Sequence, residues 1–180
     1  MPRFIAFLRA INVGGHVVKM DRLRKILESS GFSNVETFIA SGNAIFDSSI
    51  RNSKTLEKKI AATLRRELGY EVATFVRMPA ELSAIAAYRP FKLSVVDAPG
   101  SRTYIGLVEE PLNPKARRII SSFSTKDDDF CVQGKEIYWL CRIPSSESEF
   151  SLARLEKSIG MKATFRNSTT IKKMAAKYAK

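Results

Sequence analysis

The sequence predicts an α+β fold in which one βαββαβ unit is used twice. Three observations carry this. Apolar stretches with period-two alternation recur along the chain, and amphipathic helical stretches fall between them. The order of the two kinds then repeats beyond Pro90 and Pro99-Gly100. Hydrophobic residues make up 44% and charged residues 27%, a globular balance that excludes a disordered chain.

In the first half, Phe4, Ala6 and Leu8 alternate with Ile5, Phe7 and Arg9 and predict a strand. A glycine loop, Asn12-Val13-Gly14-Gly15-His16, leads to a helix with Met20, Leu23, Ile26 and Leu27 at helical spacing. Asp21 suits its first turn, and Gly31 sits where a glycine closes a helix. Residues 35–40 and 43–47 predict two strands joined at Ser41-Gly42. The spacing of Leu56, Ile60, Leu64 and Leu68 predicts a helix over 53–68, ended by Gly69. A fourth strand is predicted over 72–77, and Pro79 starts a short helix to Ala87.

Residues 91–101 read as a connector, after which the order repeats. Strand 103–108 and a helix over 113–121 with Pro114 in its first turn come first. Strands 129–133 and 136–142 form a hairpin turning at Gln133-Gly134-Lys135-Glu136. A polar loop over 144–149, a helix over 150–159 and a short strand over 163–166 follow. The last helix, 168–178, keeps Ile171, Met174, Ala175 and Tyr178 on one face. Each half thus has the ferredoxin-like order, giving two expected domains, 1–90 and 91–180. Each carries a net charge of +6, so neither is a specialised basic tail.

The whole chain carries a formal net charge of +12, which favours acidic partners. The first residues have too short an apolar run for a secretory signal, and no run reaches the ~20 residues of a membrane span. A cytoplasmic protein without membrane contact is the expectation. Cys131 and Cys141 fall on the predicted hairpin, opposite about Tyr138 and Asp128. That separation exceeds what a disulfide bridges, so two thiols are expected.

The topology makes a spatial prediction about function. The end of strand one lies beside the start of strand three, because these strands are antiparallel neighbours at the sheet centre. Arg9, Asn12, Gly14 and Gly15 therefore share one edge with Ser41, Gly42 and Asn43. Glycines let backbone N–H groups approach a ligand, and an arginine beside them grips a carboxylate or phosphate. Glycines are also what loops and hairpins require, so the same residues can be purely structural.

Other patterns exclude more than they offer. There is no Gly-Lys-Ser/Thr phosphate loop, no zinc spacing and no cofactor motif. His16, the only histidine, has no carboxylate or nucleophile near it in sequence and reads as a loop residue. Asp127, Asp128 and Asp129 lack calcium-loop spacing and read as a solvated loop entering a strand. Strand three offers Asn43, Ala44, Ile45 and Phe46, without the aromatic pair on which an RNA-recognition motif stacks bases. From Lys157 to Lys180 there are seven Lys or Arg and no acid. There Lys172, Lys173, Lys177 and Lys180 offer a phosphate-tracking face or merely a solvated one.

Three segments together carry a resemblance: Leu8-Arg9-Ala10-Ile11-Asn12-Val13-Gly14-Gly15, Ser41-Gly42-Asn43-Ala44-Ile45-Phe46 and Thr164-Phe165-Arg166-Asn167. They resemble the bacterial family catalogued as domain of unknown function 1697, over essentially the whole chain. The resemblance implies a duplicated ferredoxin-like fold and no established activity. It adds Arg166 and Asn167 to the candidate residues. Two positions depart from the family's pattern. Ala10 stands where the family usually has glycine, and Ser168 where it often has tryptophan.

The function expected is non-enzymatic binding of an anionic ligand, nucleic acid foremost. The alternative is an enzyme or small-ligand protein at the glycine-turn edge, with a nucleotide or phosphorylated metabolite held by Arg9 and oriented by Asn43. A third reading is an interaction module whose sheets pack on each other or on a second copy.

Overall fold

The computed structural model describes residues 1–180. It divides into two compact units, Met1–Leu82 with Tyr178–Lys180, and Ser83–Lys177. The sequence placed the division at 90/91; the units part at Leu82/Ser83, inside a helix.

The first unit runs β1 (Arg3–Leu8), α1 (Met20–Ser29), β2 (Ser33–Thr37), β3 (Asn43–Asp47), α2 (Ser53–Leu68) and β4 (Thr74–Arg77). Helix α3 (Pro79–Ala87) and the short α4 (Leu93–Val96) follow. The second unit then runs β5 (Arg102–Val108), α5 (Pro114–Ser121), β6 (Asp128–Gln133) and β7 (Glu136–Cys141). A 3₁₀ turn (Ser145–Glu147), α6 (Leu152–Ile159), β8 (Ala163–Asn167) and α7 (Ser168–Tyr178) complete it. The sheets are ordered β2-β3-β1-β4 and β6-β7-β5-β8, with every pairing antiparallel. This is the ferredoxin-like fold, duplicated.

Sequence explains the helix ends. Asn52 caps α2 by accepting from Thr55 N at 2.9 Å, and Asn113 caps α5 by accepting from Ala116 N at 2.8 Å. Helix α1 ends in a Schellman turn, where Phe32 N donates to Leu27 O, Gly31 N donates to Glu28 O, and Gly31 takes φ +90°.

In the first unit, Phe4, Ala6 and Leu8 of β1 join Ala44 and Phe46 of β3 on the face under α1 and α2. Leu23 and Leu27 of α1 and Leu56, Ile60 and Leu64 of α2 fill that core. Ile5 and Phe7, on the alternate face, are buried too. Glu57 is a buried carboxylate on α2 that accepts from Val76 N at 2.8 Å, satisfying a donor of the edge strand β4.

The second unit's core joins Val108, Ile137 and Ala163 to Ala116, Ile120 and Leu155. A ring cluster of Phe123, Phe130, Trp139, Phe150 and Phe165 extends it, with Trp139 and Phe150 centroids 4.6 Å apart. The two units correspond strand by strand. Ala6 of β1 lies between Ala44 and Val76, as Gly106 of β5 lies between Ile137 and Phe165.

Cys131 pairs with Tyr138 and Cys141 with Asp128, the register expected, and both cysteines are free thiols. No helix is long and apolar enough to cross a membrane.

The reading of Asp127, Asp128 and Asp129 as a solvated loop is corrected at Asp128, which is only 1% exposed. Its carboxylate accepts from Trp139 Nε1 at 2.7 Å, from Ser148 Oγ at 2.9 Å and from Thr125 Oγ1 at 3.2 Å. Three donors from separate segments compensate its desolvation. A second correction concerns β2, predicted to reach Ala40. It stops at Thr37 because Ile39 turns to φ +52° and leaves the extended region.

Candidate anion-binding sites

The glycine-turn edge forms as the topology requires. Phe7 pairs with Asn43, and Leu8 N donates to Gly42 O at 2.8 Å. Asn12 ties the two loops together. Its Nδ2 donates to Ala40 O at 3.0 Å, and its Oδ1 accepts from Val18 N at 2.6 Å. Asn43 is fully buried and donates through Nδ2 to Phe38 O at 2.9 Å and to Ser41 Oγ at 3.0 Å. Both amides thus fasten the turns. Gly42 is a packing necessity, since a Cβ there would lie 2.9 Å from Ile11 Cγ2 and φ is +84°.

Gly14 and Gly15 differ from Gly42: nothing lies within 4 Å of a Cβ built on either. Arg9 N donates to Ala73 O at 2.9 Å, and its side chain is half-buried beside these turns. Three apolar side chains protrude at this edge, with Val13 63%, Val17 82% and Ile39 52% exposed. Ala10 takes φ +54°, so an L side chain sits in the left-handed conformation that favours glycine. Tyr70 braces the loop from below, donating to Ile11 O at 2.8 Å and stacking on His16 at 3.8 Å.

The corresponding edge of the second unit is plainer. Val108 N donates to Lys135 O and Leu112 N to Gly134 O, so the backbone alone makes the closure that Asn12 makes with its side chain.

The first unit's helices form a second feature. Arg22, Lys25, Ile26, Ser29 and Ser30 of α1 and its cap face Arg66 and Glu67 of α2 across a groove of ≈ 250 Å³. Arg22 Nη2 donates to Glu67 O at 3.2 Å, bracing the two helices. Arg66 Nε donates to Glu67 Oε1 at 3.0 Å, and Ser30 Oγ is held by Ile26 O at 2.8 Å. Three cations face one carboxylate, an excess of two positive charges. The C-terminal end of α2 opposes an anion only weakly, since a helix end carries about half a charge that solvent screens.

At the C-terminus, Lys172, Lys173, Lys177 and Lys180 are all exposed, the first three on α7 and Lys180 beyond it. Arg166 is not on that surface. It is buried on β8 opposite Ile105 and donates through Nη1 to Thr164 Oγ1 at 2.8 Å and Phe165 O at 3.1 Å. Burial pulls its pKa down to about 10. Asn167 caps α7, its Oδ1 accepting from Thr169 N at 2.9 Å.

Sequence reasoning passed over Arg22, Lys25 and Arg66. The available signal was that Arg22, Lys25 and Ser29 follow one another at helical spacing along one stripe of α1. No cluster of His, Cys, Asp and Glu could hold a metal ion.

Two ferredoxin-like units, the first carrying a cationic groove on its helices, define the class of protein. The model of the family described as protein of unknown function (DUF1697) matches residues 1–138, and the chain belongs to this family. The chain is similar in structure to the conserved bacterial protein SP0830 from Streptococcus pneumoniae, with a TM-score of 0.72. Identity is 23%, over 100% of this chain and 99% of that one, a likeness that bears on the fold alone. No curated protein matches the chain.

Proposed function

We propose that this protein binds phosphate-bearing anions, nucleic acid foremost, without transforming them, and that the α1–α2 groove of the first unit makes the principal contact. The observation that carries the reading is the charge arrangement in that groove. Arg22 is anchored on a neutral carbonyl, which leaves its charge uncompensated. Lys25 has no carboxylate partner, whereas Arg24 pairs with Asp21 and Arg65 with Glu71, each at 3.5 Å. The lining offers cations and hydroxyls, which hold an anion, and no nucleophile paired with a base. Such contacts gain affinity mainly by releasing counterions, so binding must weaken as salt rises.

Fluorescence anisotropy of labelled single- and double-stranded DNA and RNA across a salt series tests this. The plot of log affinity against log salt should fall linearly, and Arg22→Ala and Lys25→Ala should each reduce its slope by about 1. Lys173→Ala and Lys177→Ala measure any share taken by α7. Affinity indifferent to salt, or slopes unchanged in the Arg22/Lys25 double variant, overturns the assignment.

A second reading puts a nucleotide or phosphorylated metabolite at the glycine-turn edge, and the open space around Gly14 and Gly15 beside Arg9 favours it. Under that reading Arg9→Ala abolishes thermal stabilisation by such a ligand while the α1–α2 variants leave it intact.

A further inference from the structure

The second unit contains a pocket of another chemistry, apart from the groove. It is small, ≈ 40 Å³, and its walls are mainly apolar: Ile85, Phe91, Val96 and Ile105. Space of that size admits about three water molecules, or equally the three or four heavy atoms of a short aliphatic tail. Tyr138 closes part of the wall, with its hydroxyl committed to Ile85 O at 3.2 Å.

The polar groups at this pocket are one-sided. Arg89 and Lys172 line it, and no Asp or Glu does. Arg89 is held in place through Nη1, which donates to Ala86 O at 2.7 Å and Tyr88 O at 3.2 Å. Its Nε and Nη2 edge keeps the geometry that receives a carboxylate through two parallel bonds. Thr103, also in the lining, has a buried hydroxyl without a hydrogen-bond partner. The remaining lining hydroxyl belongs to Ser168, at the start of α7.

We propose that this pocket binds a short-chain aliphatic carboxylate, with the tail among Ile85, Val96 and Ile105 and the carboxylate on Arg89 and Lys172. A phosphorylated or sugar-like ligand fits poorly, because its polar body would replace water with apolar wall.

The test uses the full chain labelled with ¹⁵N. Sodium isovalerate is titrated and amide shifts are followed, with acetate (the charge without the tail) and 3-methylbutanol (the tail without the charge) as controls. Saturable shifts near Arg89, Thr103 and Ser168 are expected in the millimolar range, the affinity open to so small a ligand. Acetate and the alcohol should bind about tenfold more weakly, the loss of one good contact. Arg89→Gln should weaken isovalerate by a similar factor, and Ser168→Trp, which fills the pocket, should abolish binding. If Ser168→Trp fails to fold, Arg89→Gln decides alone. Equal shifts with acetate, no saturation with isovalerate, or undiminished binding to Arg89→Gln overturns the proposal. None of these outcomes touches the α1–α2 groove, whose variants are read on nucleic acid.

Discussion

The far edge of the Phe165 ring occupies the space that a side chain on Gly106 would need. A Cβ at Gly106 would lie 2.5 Å from Phe165 Cζ and 2.7 Å from Cε1, although the glycine's own backbone is ordinary for a strand. The ring cannot retreat freely, since Trp139 and Phe150 hold it at centroid distances of 6.0 and 5.6 Å. Gly106→Ala should therefore cost about 1–3 kcal/mol by overpacking. Urea unfolding checks this, and a Phe165→Leu partner change should recover part of the loss; a neutral Gly106→Ala would mean that the ring moves aside.

Asp128 should matter far more than an acid in a surface loop. Asp128→Ala removes the acceptor for Trp139, Ser148 and Thr125 together, and about 2–4 kcal/mol should be lost as buried donors go unpaired. Trp139 is the only tryptophan, so intrinsic fluorescence reports the change directly through a shifted emission maximum. Asp128→Asn, which keeps one carbonyl oxygen, should lose less.

Ala10 offers a gain instead. Its left-handed backbone costs an L-residue roughly 1 kcal/mol, which glycine does not incur, although glycine adds entropy to the unfolded chain. Ala10→Gly should hold or raise Tm, while Gly42→Ala should lower it sharply, because strain and the contact with Ile11 act together there. Thermal melts of the two variants should move apart.

Alkaline stability follows from two groups in the second unit. Burial raises the pKa of Tyr138 above its ordinary value of 10.0 and that of Cys141 above 9.0. Above those ordinary values the unfolded chain loses protons that the folded chain still holds. The stability they contribute is thus whole below about pH 9 and declines as pH rises further. Tyr138→Phe should flatten that decline, while costing about 0.5–1.5 kcal/mol at neutral pH through its lost bond to Ile85 O. Denaturant titrations at several pH values between neutrality and the alkaline limb measure both effects.

Salt dependence distinguishes surface from interior cations. Arg166→Gln should leave the salt slope of nucleic-acid binding unchanged, because its guanidinium is buried beside Thr164, whereas Arg22→Ala should lower it by about 1. The comparison needs one probe and one buffer series.

Much of the fold was legible because local chemistry agreed with it. Alternation in β1, Pro114 in the first turn of α5 and the stripe from Ile171 to Tyr178 each follow from short-range rules. The meeting of Asn12 with the 38–43 turn was legible too, through topology rather than composition. Other features depend on long-range burial that no window of sequence contains. Asp128 looked solvated because its partners Trp139 and Ser148 lie 11 and 20 residues away. Arg166 was a candidate through the family resemblance alone, and a shared motif does not say whether its side chain faces solvent or the interior. The groove joins two helices with Arg22 and Glu67 45 residues apart. Ser168 lines the pocket of the second unit, and its departure from the family's frequent tryptophan was visible as a residue change but not as open space.

One side chain, Asn12, closes the neck of the 12–18 loop through Val18 and moors that neck to Ala40. Of the five residues beyond the neck, only His16 meets the scaffold through a ring contact, by stacking on Tyr70. Most such segments are coupled to their scaffold at many points, and a change in one is paid for in the other. Here the scaffold and the loop tip can diverge on separate clocks. The same neck is a natural splice point at which a foreign peptide could be displayed on an intact fold.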